Sequence, residues 1–449
     1  MKKGLIIRVI VLLTVMSLSA VTVKSQGKSS VQDQGKSSVQ DQEKKSVQDQ
    51  EKKSVQGPEK KTGWNFGPLP AISYVSDLGF QYGALCDIYW FGDGSTFPDY
   101  IHKFNVEVSR YTKGSGVYHF FYDSKYLLKN LRTTVDFSYL TDRMMDFYGF
   151  NGYAATYFSH RGESFYKYDR NLLRATLDVQ GNISGSLGWV AGVGVYGYKT
   201  APVKLDKYAG EPSLFQYYVD EGLISESEKD GGTRLEVKLG VVYDTRDNEA
   251  DPYRGFKGEA ISSISPGFGG EGYTKLFLSA SGYIPLINNK LTFAARGFYQ
   301  GTILGEQPFY MMQNITTLYF RQITSEGLGG LNTIRGVLRN KVVGAGVVLS
   351  NFELRYRFAD FKFLGQGWYL VVNPFFDAGR VVQYHKLKEM SQSMNPDIWS
   401  ILNEKFHMSA GAGIKAVMNR NFVISAEWGK PFNSLDGKSG LNIGLNFIF

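Results

Sequence analysis

The chain has 449 residues, among them 51 glycines, 31 phenylalanines, 29 tyrosines and a single cysteine. One cysteine excludes a disulfide scaffold and any zinc or iron–sulfur site built on cysteines, and the five histidines lack metal-binding spacing, so we expect neither a metal nor a cofactor. The net charge of +8 lies mostly in residues 1–63. Residues 64–449 carry 38 basic and 36 acidic side chains, and this balance argues against a nucleic-acid partner.

Residues 1–25 have the pattern of a secretory signal peptide. Lys2, Lys3 and Arg8 form a basic start, an apolar run follows over 9–21, and Ser25 lies at a suitable cleavage position. A membrane anchor is the alternative, but a bilayer-spanning helix needs about 20 apolar residues and this run is shorter. We therefore predict an exported protein whose residues 1–25 are removed.

Residues 26–63 contain an eight-residue repeat. The unit GKSSVQDQ at 27–34 recurs at 35–42 and, as EKKSVQDQ, at 43–50. Each unit has one valine and no aromatic residue, so it buries too little apolar surface to offset the entropy lost on ordering. We predict that residues 26–63 form a disordered tether in the periplasm, and a partner-binding segment is the alternative.

From residue 64 onward, apolar and polar residues alternate in segments of about ten residues. Every odd-numbered residue is apolar in 235–243 and again in 441–449. This period of two is typical of β-strands with two different faces. A soluble β-sandwich or propeller and a transmembrane β-barrel both fit, but export and aromatic residues near the strand ends favour the barrel.

Counting the strands predicts their arrangement in the membrane. We expect sixteen strands, near 70–76, 80–91, 100–112, 117–125, 131–141, 166–181, 187–199, 233–245, 255–265, 272–284, 290–302, 343–358, 367–383, 404–417, 421–430 and 439–449. An even number puts both ends of residues 64–449 on the periplasmic side. The long connections 142–165, 200–232, 303–342 and 384–403 then all lie outside, as in known outer-membrane barrels. The predicted fold is an all-β, 16-stranded antiparallel transmembrane barrel.

Four motifs occur in this region in a fixed order. They are Tyr243-Asp-Thr-Arg-Asp-Asn248 with Pro252-Tyr-Arg-Gly-Phe256, Gly329-Gly-Leu-Asn-Thr-Ile-Arg-Gly336, Asn351-Phe-Glu-Leu354 and Phe375-Phe-Asp-Ala-Gly379. Together they resemble the barrel domain of the BamA/TamA outer-membrane assembly and translocation family, also called the bacterial surface antigen barrel. The resemblance covers about 64–449.

The resemblance implies that the 303–342 loop folds back into the lumen, where Arg335 meets acidic residues of the wall. Strand alternation independently puts Glu353 and Asp377 on the lumenal face. A buried guanidinium needs such carboxylate partners, and lysine does not replace it equivalently. The alternative is a solvated loop arginine. The candidate lumenal site comprises Gly329, Gly330, Ile334, Arg335, Gly336, Glu353 and Asp377.

Two further groups of residues follow from the resemblance. The first is a periplasmic turn motif, for which we select Asp244, Arg246, Asp247, Asn248 and Gly255. The second is a C-terminal assembly signal, for which we select Leu445, Phe447 and Phe449.

The resemblance implies a function at the outer membrane, with membrane lipid as a partner and unfolded outer-membrane proteins or other membrane proteins as candidate partners. We expect the barrel to assist insertion or translocation of protein or lipid through a weak seam between its first and last strands, where Pro68 and Pro70 lack amide donors. The family's periplasmic POTRA domains do not fit between the predicted signal peptide and Trp64, so we do not expect substrate capture through such domains. The alternative is a passive channel or structural surface barrel gated by the 303–342 loop.

We do not expect an enzyme. The segment Gly192–Gly197 matches G-x-G-x-x-G, but a dinucleotide site needs this turn to open a helix and here it lies within a strand pattern. Asp244 and Asp247 belong to the turn motif, and the sequence contains no G-x-S-x-G.

Overall fold

The computed structural model describes residues 61–75, 78–97, 99–203, 212–268, 271–316, 326–363, 366–420, 422–445 and 447–449. The predicted signal peptide over 1–25 and nearly all of the predicted tether over 26–63 lie outside the described residues. No helix in the described ranges is long and apolar enough to cross a membrane.

Sixteen antiparallel strands form one closed sheet, in which each strand pairs with the next and the last pairs with the first. Strand β1 has two segments, Trp64–Pro70 and Ser73–Val75, which both pair with the second strand. The others are β2 Gly79–Trp90, β3 His102–Tyr111, β4 Gly116–Leu128, β5 Leu131–Asp146, β6 Lys167–Ser184, β7 Leu187–Ala201, β8 Gly231–Asp244, β9 Gly255–Ser265, β10 Tyr273–Ile287, β11 Leu291–Gly305, β12 Gly346–Phe363, β13 Gln366–Gln383, β14 His407–Met418, β15 Phe422–Pro431 and β16 Gly440–Leu445. The predicted barrel and strand number are confirmed.

The two faces of the wall separate polar from apolar side chains. Apolar residues such as Leu239 and Val241 are exposed on the outside. Charged residues such as Glu236, Lys238 and Lys275 are buried in the lumen, where they pair with one another and with polar neighbours. This is the inverse of a soluble core, and it explains why a membrane protein has a mean hydropathy of only −0.22.

The long connections lie at one end of the barrel, as predicted. In their described parts they carry three short α-helices, α1 Leu214–Asp220, α2 Phe309–Met312 and α3 Leu387–Gln392. Their side chains pack into one apolar cluster with the outer ends of β5 to β7, through residues that include Phe147, Phe150, Tyr168, Phe215, Tyr218, Phe309 and Met390. We call this cluster the outer cap. It covers the outer mouth of the barrel.

Strand β1 is longer than predicted, because it begins at Trp64 where the sequence suggested residue 70. The amide of Ala71 donates to the carbonyl of Gly83 in β2, so odd-numbered residues of this segment point their backbone groups toward β2. Pro68 and Pro70 therefore point theirs toward the seam. A proline is tolerated there because that edge makes no ladder hydrogen bond for which an N–H is required.

The seam between β1 and β16 pairs near the outer end. In the described residues, the register joins Val75 to Asn442 and Tyr74 to Ile443. For comparison, β15 and β16 remain in register from Gly429–Gly440 to Ile424–Leu445. The periplasmic part of β1, Trp64–Pro70, thus pairs with β2 alone.

Candidate functional site

The loop between β11 and β12 enters the lumen, and glycines permit its close approach to the wall. Gly329, Gly330 and Gly336 have φ angles of 105°, 84° and 89°, a region that other residues rarely adopt. A Cβ on Gly336 would lie 2.4 Å from the carbonyl carbon of Gly429 in β15. The loop and the wall therefore touch backbone to backbone at this point.

Arg335, in the same turn, is fully buried and surrounded by three carboxylates. Its Nε and Nη2 atoms donate to the two oxygens of Asp377 at 2.8 Å each, and its backbone N–H donates to Asp377 at 3.0 Å. Its Nη1 atom donates to Glu353 at 2.5 Å and to Glu427 at 2.9 Å. The guanidinium also lies 3.5 Å from the ring centre of Phe375. This forked geometry is specific to arginine.

Two further cations balance the acids around Arg335. Arg355 donates to Glu353 at 2.8 Å, and Lys415 donates to Glu427 at 2.9 Å. Three cations and three carboxylates thus form one buried network, which avoids the large cost of an unpaired buried charge. Strand alternation places Glu427 and Lys415 on the lumenal face. Nothing in a single strand indicates which wall residues the loop reaches, so neither was predicted as part of the site.

A second arginine of the loop, Arg339, contacts the opposite part of the wall. It pairs with Asp142 and, at 3.4 Å, with Asp146 of β5, and its Nε lies 3.2 Å from Glu326. The loop therefore crosses the lumen and is held by a buried ion pair at each side. Sequence reasoning missed Arg339, because it lies outside the recognised motif.

Ile334, the remaining residue of the predicted lumenal site, packs in an apolar cluster between the loop and the wall. Its neighbours include Leu328 and Val337 of the loop and Leu349 and Val381 of β12 and β13. The structure thus brings all the predicted lumenal residues together at one place.

The predicted turn motif forms an ordered connection between β8 and β9. Arg246 folds back onto Asp244, and Asp247 accepts the backbone N–H groups of Tyr253 and Arg254. Asn248 accepts two further backbone N–H groups. Gly255 has a φ of 110°, and a Cβ there would lie 2.4 Å from the carbonyl of Thr245, so glycine is needed to close the turn.

Residues 245–254, which we call the periplasmic bar, also contact distant strands. Glu249 accepts a hydrogen bond of 3.1 Å from Arg132 of β5. On the other side, Asp247 accepts one of 2.7 Å from Arg420, in the turn between β14 and β15, and Asp251 accepts one from Tyr369 of β13. The bar thus lies across the periplasmic mouth of the barrel.

The predicted assembly signal divides between the two faces of the wall. Leu445 faces outward, whereas Phe447 and Phe449 turn into the lumen, which differs from the predicted strand over 439–449. Arg296 and Arg355 donate to the carbonyls of Ile448 and Phe449. These arginines supply hydrogen-bond donors for the two carbonyls. The neighbouring edge of β1 supplies none at its two prolines, which have no N–H.

Arg355 also lies 4.2 Å from the ring centre of Phe447, and Lys415 lies 4.9 Å from it. The lumenal charge network and the inward-turned segment 447–449 are therefore one continuous structure. Within the ranges that the structure describes, no group of three histidine, cysteine, aspartate or glutamate side chains is arranged to hold a metal ion.

Comparisons with known proteins agree with this architecture. The family model for the Omp85 superfamily domain matches residues 102–449. The fold is similar to that of BamA from Haemophilus ducreyi lacking POTRA domains 1-3, with a TM-score of 0.55, 17% identity, and coverage of 86% of this chain and 71% of that one. It is also similar to CdiB from Escherichia coli, with a TM-score of 0.53, 11% identity, and coverage of 87% and 64%.

The comparison with curated proteins gives no match. The two structural similarities have low sequence identity and establish the fold alone, while the family match extends over most of the chain and includes the loop and turn motifs described above. The chain therefore belongs to the Omp85 superfamily and is a β-barrel protein of the bacterial outer membrane.

Proposed function

We propose that this barrel assists the insertion or translocation of protein or lipid at the outer membrane, by way of the seam between β1 and β16. The observation that carries the proposal is the difference between the two edges of β1. The segment Trp64–Pro70 pairs with β2 along its length, but its other edge has no partner strand in the described residues. An unpaired strand edge of this kind is a template on which another strand can pair.

The segment 447–449 supports the same proposal. In the described residues, the pairing of β15 with β16 runs to Ile424–Leu445, and Phe447 then packs in the lumen. Within the part of the wall that the structure describes, the seam is thus paired only near its outer end. A client strand or a lipid arriving from the periplasm would meet this part of the wall first.

The insertion assay tests the proposal. The purified barrel is placed in liposomes, and the folding of a second, initially unfolded outer-membrane barrel is followed by its resistance to protease. We expect faster insertion than in empty liposomes. An equal rate in both would contradict the proposal.

A disulfide staple separates the seam from the rest of the wall. The pair Tyr74→Cys and Ile443→Cys, in a Cys86→Ser background, joins directly opposed residues at a spacing that a disulfide can bridge. Oxidation should abolish the acceleration and reductant should restore it. The matched control joins Val193→Cys to Val237→Cys, which are opposed on β7 and β8 far from the seam, and should leave activity unchanged.

A channel gated by the loop between β11 and β12 is the second candidate, and the two buried ion pairs that hold this loop across the lumen favour it. Deleting residues 325–340 should raise the conductance of a planar bilayer that contains the barrel. If conductance rises while insertion activity is absent from the intact protein, the channel is the better description.

A further inference from the structure

The outer surface of the wall carries an apolar groove at its periplasmic end, on strands β3 to β5. The groove has a volume of about 420 Å³. Six side chains line it: His102, Phe104, Phe120, Tyr122, Leu127 and Val135. It begins two strands from the seam and is separate from the lumenal site.

Neighbouring strands form the floor of the groove. Phe104 of β3 is opposite Tyr122 of β4, which in turn is opposite Val135 of β5. The adjacent residues Lys103 and Asp123 are buried and point to the lumen. The floor therefore faces the membrane, by the alternation of side chains along each strand.

A β-bulge forms the side of the groove. The register between β4 and β5 shifts between Ser124 and Leu128. The Oγ atom of Ser124 accepts the N–H groups of Tyr126 and Leu127 at 3.0 and 2.9 Å and donates to the carbonyl of Ile101 at 2.7 Å. These bonds fix the bulge so that Leu127 stands beside the floor, half exposed.

Polar groups lie where the groove reaches the periplasmic end of the strands. The Nδ1 atom of His102 is 2.9 Å from the hydroxyl of Tyr122. Lys125 stands on the bulge with its side chain partly exposed, 3.5 Å from Asp99. The site thus combines an apolar groove with hydrogen-bonding groups and a cation at its periplasmic end, the arrangement that suits an acyl chain and its head group.

We propose that this groove binds one acyl chain of a glycerophospholipid from the periplasmic leaflet, with the head group beside His102, Tyr122 and Lys125. The groove is continuous with the lipid-facing wall, so lipid is the occupant already present at its edges. The ring of Trp64 in β1 lies 6.2 Å from that of Phe104, so the bound lipid contacts a residue that packs on the seam strand.

Photolabelling tests the proposal with the full chain in nanodiscs. The probe is a phosphatidylethanolamine with a diazirine in one acyl chain, and labelled peptides are identified by mass spectrometry. We expect more label on peptides that contain Phe120 and Leu127 than on the equally apolar wall segment 235–243. Uniform labelling of the two regions would show ordinary annular lipid and overturn the proposal.

Leu127→Ala removes the side of the groove, and its label should fall by about tenfold because most of a leucine's apolar contact is lost. Leu278→Ala, a similarly exposed leucine on β10, is the matched control and should leave the label unchanged. Protease resistance of both variants confirms that the barrel is folded. Unchanged labelling in Leu127→Ala, or a cross-link to a second copy of the chain at these residues, would contradict the proposal.

Discussion

Arg335 is buried, and its guanidinium contacts three carboxylates at once. Its guanidinium binds Asp377 through two donors and also reaches Glu353 and Glu427. Removing this one cation leaves three carboxylates to two remaining cations in a site without water access. The cost of such an uncompensated buried charge is large, whereas an exposed arginine contributes little.

We expect Arg335→Ala to lower the free energy of unfolding by about 3–5 kcal/mol, measured by urea titration in detergent. Arg335→Lys should restore only part of the loss, because an ammonium cannot donate to both oxygens of Asp377 and still reach the two glutamates. Arg143→Ala, at an exposed arginine of β5, is the control and should have little effect. Equal stabilities of Arg335→Ala and Arg143→Ala would contradict the role of the network.

Lys341, in the same loop, should make stability depend on pH. Burial lowers the pKa of Lys341 to about 8, although its ammonium lies 5.3 and 5.0 Å from the ring centres of Tyr148 and Tyr157. Between about pH 8 and pH 10.4 the folded state binds fewer protons than the unfolded state, so raising the pH stabilises the folded state.

Below about pH 8, the buried charge of Lys341 lowers the free energy of unfolding by about 3 kcal/mol. Any cation–π attraction that the charged form retains makes this loss smaller. Lys341→Met should therefore be more stable than the wild type at neutral pH, and the difference should shrink as the pH rises toward 10.4. Paired urea titrations of the two proteins measure this difference. A difference that is constant with pH would show that Lys341 does not titrate in the folded state.

Among the strands, β1 has the most unusual edge. At Pro68 and Pro70 its seam side offers carbonyl groups but no N–H donor, so an antiparallel ladder is interrupted at these two positions. Prolines at such positions protect an exposed edge from pairing with another chain. The same feature restricts how a client strand could add to β1.

Replacing both residues, Pro68→Ala with Pro70→Ala, should supply two donors and allow edge-to-edge pairing between copies. With Phe66→Cys as a reporter in a Cys86→Ser background, we expect a several-fold rise in the disulfide-linked dimer. Pro374→Ala, within the paired strand β13, is the control and should not change dimer formation. If the double variant forms no more dimer than the protein that keeps both prolines, the prolines do not protect this edge.

The periplasmic bar depends on its contacts at both ends. Arg420→Ala removes the hydrogen bonds to Asp247 and to the carbonyl of Asp251, and Glu249→Ala removes the one from Arg132. Because these pairs are partly exposed, each contributes about 1 kcal/mol or less. The double variant should be cleaved faster within 245–254 by a protease added to the periplasmic face, whereas Arg254→Ala, on the same turn, should not. Equal cleavage of the wild type, the double variant and Arg254→Ala would mean that the bar is held by its own backbone bonds.

At the scale of the whole molecule, the lumen is closed at three levels: the outer cap, the loop between β11 and β12, and the periplasmic bar. A sixteen-stranded barrel is wide enough for an aqueous channel unless something fills it. Lumenal residues as polar as Lys238 and Lys275 are instead almost inaccessible to solvent. Passage across the membrane therefore requires rearrangement of the lumen or opening of the wall.

This arrangement predicts that the barriers act in series. Deletion of 325–340 alone should raise bilayer conductance less than the same deletion combined with Arg420→Ala and Glu249→Ala, since the bar still crosses the mouth when only the loop is deleted. The bar substitutions alone should conduct as little as the wild type. If they alone open a large conductance, the loop is not a barrier.

The sequence by itself determined the features that repeat along the chain. Alternation with a period of two fixed the strands, their lumenal faces and hence the positions of Glu353 and Asp377, because each depends on residues two positions apart. The even strand number and the unequal connections indicated which end of the barrel lies outside. The loop motif indicated that Arg335 enters the lumen.

Only the tertiary structure decided which residues meet across the barrel. Glu427 and Lys415 join the Arg335 network, Arg339 holds the far side of the loop, and the bar reaches Arg132 and Arg420 because the closed sheet brings distant strands to one lumen. Residues 447–449 leave the predicted strand: Arg296 and Arg355 bind the carbonyls of Ile448 and Phe449, while the edge of β1 lacks donors at Pro68 and Pro70. Which of these partners meet depends on competition between residues far apart in the sequence. Local alternation of side chains carries no information about such contacts.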